Sequence, residues 1–106
     1  MIQDFWVDKF YKEIYPLLVA KLSPQKVLLF GSRAKGTASE SSDIDVIIVS
    51  EFFKTIPKLN RMTFLLKQFR FNKHIDFLCY TPEEYEKIKN NSSIVIDALE
   101  NSITIS

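Results

Sequence analysis

Apolar residues recur at helical spacing over residues 3–22, where Phe5, Trp6, Phe10, Ile14, Leu17, Leu18 and Leu22 predict an amphipathic helix. Pro16 falls inside that stretch and either breaks or kinks the helix, or opens a second one at its first turn. Ser23-Pro24 ends the pattern. Lys26-Val27-Leu28-Leu29-Phe30 is a short apolar run closed by Gly31, and reads as a buried strand. Residues 32–36 make a turn, with room for one turn of helix, and Thr37 to Ser42 is small, polar and loop-like. Asp43 to Ser50 is a second strand. Its Ile44-Val46-Ile47-Ile48-Val49 run lacks polar alternation, so both faces are covered and the strand is central.

Helical spacing returns over residues 56–70. Pro57 stands near the start, Leu59, Met62, Leu65, Leu66 and Phe69 make the apolar side, and Arg61, Lys67 and Arg70 lie outside. His74 to Tyr80 is a third strand. Thr81-Pro82-Glu83-Glu84 is a capping box with proline at the first helical position, and starts a helix running to about Asn90. A last helix covers about Ser92 to Leu99, and Ile103-Thr104-Ile105 forms a short edge strand. No repeat, low-complexity tract or linker interrupts the order.

A chain of 106 residues is one domain, 1–106, with one hydrophobic core. The formal net charge of +1 and the lack of a basic run speak against nucleic acid as a partner. Cys79 is the single cysteine, so neither an internal disulfide nor a zinc site is available; it reads as a buried small hydrophobe. No apolar run reaches the roughly 20 residues of a membrane span, and nothing resembles a signal peptide. These features predict a cytoplasmic protein with no membrane partner.

The chemistry concentrates in one stretch. The chain has only two glycines, Gly31 and Gly36, and both fall beside Ser32, Arg33 and Lys35. A glycine turn between strand and helix presents backbone N–H groups to an anion; Ser32 adds a hydroxyl donor, and Arg33 and Lys35 add charge toward phosphates or are simply solvated. Asp43 and Asp45 are two apart on the next strand and point the same way. Two such carboxylates repel unless a cation sits between them, and hard oxygen ligands suit Mg²⁺ or Mn²⁺. Asp76, between apolar Ile75 and Phe77, is out of place unless its strand lies beside that pair. It would serve as a base or as ligand to a second ion; otherwise it bridges to Lys73 or a neighbouring strand. His74 shares its face and reads as a half-exposed histidine. Gly31 to Gly36 also mimics the start of a P-loop, but Thr37-Ala38 stands where lysine and serine or threonine are required.

Ser32, residues 33–42, Asp43 and Asp45 match, without a gap, the Gly-Ser, ten-residue, Asp-x-Asp pattern of the DNA polymerase β-like nucleotidyltransferase superfamily. The fuller string from Phe30 to Gly36, followed by Ser42-Asp43-Ile44-Asp45-Val46, resembles the minimal nucleotidyltransferases of that superfamily. The resemblance implies an α+β fold with a small mixed β-sheet flanked by helices. It implies that Asp43, Asp45 and Asp76 hold Mg²⁺, two ions in all, and that Ser32 contacts the triphosphate of ATP. An acceptor hydroxyl then attacks the α-phosphate and pyrophosphate leaves. It also implies a partner, a HEPN-family helical protein or a second copy of the chain. In that setting the chain is an antitoxin, either by modifying its partner or as a non-catalytic subunit that neutralises it by contact.

Overall fold

A computed structural model describes residues 4–105, with Ile94 described by its main chain only. The first helical stretch is two helices, α1 (Phe5–Glu13) and α2 (Tyr15–Leu22), and Pro16 lies in the first turn of the second. Phe10, Ile14, Leu18 and Leu22 form a buried stripe at four-residue spacing, while Phe5 and Leu17 face solvent. Of that predicted span, Gln3 lies outside the described residues.

The strands are β1 (Lys26–Phe30), β2 (Ile44–Val49), β3 (Ile75–Tyr80) and β4 (Ile103–Thr104). Their order in the sheet is β3-β2-β1-β4, so β2 is internal, as its unbroken apolar run predicts. β1 runs antiparallel to β2 and to β4, whereas β2 and β3 are parallel. The sheet is therefore mixed and the fold α+β. One short helix, α3 (Ser32–Lys35), fills the turn after β1. Helix α4 (Arg61–Gln68) crosses between the parallel strands, and α5 (Pro82–Ile88) and α6 (Ser93–Glu100) follow β3.

Alternation along the strands divides the core in two. Val27, Leu29, Ile44, Val46, Ile48, Ile75 and Phe77 pack with Phe10, Leu18, Phe53 and Leu65 on one face. Leu28, Ile47 and Val49 pack with Tyr85 and Ala98 on the other. This second cluster is the smaller, and it leaves one end of its face to polar residues. No helix among the described residues is long and apolar enough to cross a membrane.

The stretch before α4 departs from expectation. Residues 51–60 form two short 3₁₀ turns, Glu51–Thr55 and Lys58–Asn60, and the α-helix begins only at Arg61. The later start changes the helix's phase. Leu59 is 97 % exposed and Met62 is on the surface, whereas Arg61, expected in solvent, is buried. Its guanidinium donates to the Ile56 and Cys79 carbonyls and pairs with Glu84.

Glu84 is also half of the capping box. Thr81 Oγ1 accepts from Glu84 N at 3.2 Å, and Thr81 N donates to Glu84 Oε1 at 2.9 Å. Thr81→Ala is expected to cost about 1 kcal/mol, measured as a lower midpoint in urea unfolding with an unchanged slope.

Candidate functional site

The polar end of the second face is built by strand register. Asp45 of β2 stands directly beside Asp76 of β3 in the parallel ladder, and beside Phe30 of β1 in the antiparallel one. Paired residues share a face, so both carboxylates rise on the side covered further along by α5 and α6. Asp43 lies just ahead of β2 and is exposed, two residues from Asp45. Burial raises the Asp45 carboxyl above its ordinary value, and the charges of Asp76 and then Asp43 raise it further; His74 and Arg33 pull the other way. The three carboxylates thus share one electrostatic neighbourhood.

Gly31 makes room for it. Its φ of +74° and ψ of −158° suit glycine alone, and a methyl group there would collide with Asp45 Oδ2 and stand 3.1 Å from its Cγ. The strand-to-helix turn and the carboxylate therefore pass in direct contact. Gly36 closes the single turn of α3 in the left-handed region, its N–H donating to the Ser32 carbonyl. Ser32 opens that turn and Lys35 is exposed at its end.

The donor set fits a hard divalent cation: carboxylates only, at the edge of solvent, with mutual repulsion for a cation to relieve. Among the described residues, no three histidine, cysteine or acidic side chains are gathered closely enough to hold a metal ion by themselves. A Mg²⁺ ion usually binds through one or two carboxylates and completes its shell with water and substrate phosphate. Burial pushes the Cys79 thiol up to about 12, so it is no nucleophile at neutral pH. His74 is exposed; its carbonyl accepts from Ile44 N at 3.1 Å.

Arg33 corrects the sequence-based expectation of a phosphate contact. It is 4 % exposed and turned inward. Nη1 donates to both oxygens of Asp4, and Nε and Nη2 donate to main-chain carbonyls of residues 39–42. Asp76, by contrast, has no ion pair with Lys73 among the described residues. The residue that sequence reasoning missed is Asp4. Its visible signal was a helix cap ahead of an amphipathic run; its partnership with Arg33, 29 positions away, was not visible.

Comparison with known proteins gives the family. The nucleotidyltransferase domain family matches residues 9–105. A protein of Methanocaldococcus jannaschii named "putative protein adenylyltransferase" is 35% identical over 96 residues, which is 90% of this chain and 89% of that protein. A crystal structure of a "putative nucleotidyltransferase" from Sulfolobus solfataricus superposes with a TM-score of 0.61 at 25% identity, covering 91% of this chain and 76% of the other. With an Asp-x-Asp strand, a partnered third acid and a glycine-serine turn in one place, this chain belongs to the nucleotidyltransferase domain family and is a nucleotidyltransferase.

Proposed function

We propose that the protein transfers AMP from ATP to the hydroxyl of an acceptor, with Mg²⁺ held by Asp43, Asp45 and Asp76. The observation that carries this reading is the register of Asp45 with Asp76 beside the Gly31-Ser32 turn. When bound, the cation supplies positive charge against the carboxylates and the triphosphate. The chain's own groups do the rest. The Ser32 hydroxyl and the first N–H groups of α3 donate to phosphate oxygens, and Lys35 adds charge from the surface. Asp76 takes the acceptor's proton or holds a second ion. The acceptor oxygen bonds to the α-phosphorus, the bond from that phosphorus to the bridging oxygen breaks, and pyrophosphate departs.

The acceptor we favour is a protein hydroxyl, on a HEPN-family helical partner or a second copy of the chain. The Methanocaldococcus relative's name and the resemblance of the motif support it. The test uses purified protein, Mg²⁺ and ATP labelled at the α- or the γ-phosphate, with the product of the adjacent reading frame and a small-molecule panel as acceptors. Label is expected to move from the α position only, and to stop when the cation is chelated. Transfer from the γ position would make the protein a kinase. Equal labelling by wild type and by the Asp43→Ala, Asp45→Ala double variant would remove the assignment.

A further inference from the structure

The loop that delivers Asp43 is gripped from behind. Arg33 donates to the Ser42 carbonyl through Nη2 at 2.8 Å and Nε at 3.2 Å, and to the Ser39 carbonyl through Nη2 at 3.2 Å. Its remaining nitrogen, Nη1, meets Asp4 Oδ1 at 2.9 Å and Oδ2 at 2.8 Å. Asp4 is fixed in turn as the cap of α1, accepting from Trp6 N at 2.9 Å and Val7 N at 3.1 Å. Trp6 Nε1 donates to the Glu40 side chain at 3.1 Å, and Lys73 donates to the Glu40 carbonyl from 5.3 Å over the Trp6 ring.

The Ser42 carbonyl belongs to the peptide group that enters Asp43. Two bonds from a rigid, planar fork fix that peptide plane, and so the direction in which Asp43 leaves the loop. A buried arginine held by five or more acceptor contacts has no cheap alternative position. We propose that Arg33 is a positioning residue for divalent-cation binding, acting through the Ser42 carbonyl on Asp43, with Asp4 locking the arginine. The inference rests on the reading of Asp43 as a cation ligand. Asp4 and Trp6 both precede the family-matched residues 9–105, so the lock on Arg33 comes from outside the matched region.

The test is Mn²⁺ binding by electron paramagnetic resonance, with and without ATP, together with amide hydrogen exchange of residues 37–43 in the metal-free protein. Arg33→Lys keeps the charge and loses the fork. It is expected to speed exchange in the loop and to weaken Mn²⁺ binding about tenfold, the usual size for removing support behind a metal ligand. Asp4→Asn keeps an oxygen for the cap and is expected to act in the same direction, about threefold. Glu84→Gln, at the buried Arg61 pair remote from the site, serves as the control for lost stability; it should lower the melting temperature and leave Mn²⁺ affinity alone. Unchanged loop exchange in Arg33→Lys overturns the latch. Faster exchange with wild-type Mn²⁺ affinity, while Asp43→Asn loses binding, also overturns it. A wild-type protein that binds Mn²⁺ no better than Asp43→Asn overturns the cation reading itself, and the inference with it.

Discussion

Asp45→Asn is expected to slow nucleotidyl transfer about 10³-fold and yet to raise the melting temperature of the metal-free protein at neutral pH. The first effect follows, on the proposed function, from removing charge where the triphosphate and its cation are to be held. The second follows from linkage. In the unfolded chain the Asp45 carboxyl titrates near its ordinary 3.8, whereas in the fold burial, Asp76 and Asp43 raise it. Between those two values the unfolded chain has released its proton and the folded one retains it. Stability therefore falls as pH rises through that window, and the loss persists above it. Asparagine carries no such charge. Its advantage should vanish below the ordinary carboxylate value, grow through the window and level off toward neutrality. Adding Mg²⁺ should reverse the ranking, because ligand binding stabilises wild type and not the variant. Melting curves from acid to neutral pH, in chelator and in excess Mg²⁺, check the sign. An asparagine variant that melts lower than wild type in chelator at neutral pH would mean that Asp45 is held by partners rather than strained by neighbours.

This conflict between fold and function is also what made the site legible in sequence. Asp45 interrupts an apolar run, and Asp76 interrupts another; each is out of place locally. The register that sets them side by side was not readable from either strand alone. Local signals translated well: the apolar run and closing glycine of β1, the Thr81 capping box, and Pro16 opening α2 each depend on residues within one turn or strand. Long-range ones did not. Arg61 and Arg33 read as surface or phosphate-facing cations because nothing nearby in sequence announces Glu84 or Asp4. A charged side chain enters the interior only when a partner from elsewhere meets it. The helix expected from residue 56 failed for a related reason. Ser50 caps a 3₁₀ turn that buries Phe53 and ends at Thr55, and a second 3₁₀ turn, Lys58–Asn60, takes the place of the first helical turn, so the α-helix starts only at Arg61.

Gly31→Ala should cost about 2–5 kcal/mol, the sum of holding alanine in a glycine-only region and forcing a methyl group into filled space. For a domain of this size that lowers the melting temperature by roughly 10–25 °C. Turning the Asp45 carboxylate aside would relieve the contact only in part, since Asp45 Cβ stands 3.3 Å from the added methyl group whatever the rotamer. Its Cβ is fixed by β2, an internal strand paired on both sides. The turn must move away from the strand, and Ser32 moves with it. Transfer should fall with stability, and more steeply than in a variant of equal stability loss elsewhere, such as Glu84→Gln. A double-mutant cycle separates the two causes. In an Asp45→Ala background the carboxylate is gone while the backbone strain remains. Gly31→Ala should then cost about 1–2 kcal/mol less than in wild type, as expected for residues in contact. Additive effects would show that Gly31 serves the turn alone, and that its closeness to the Asp45 carboxylate carries no energy.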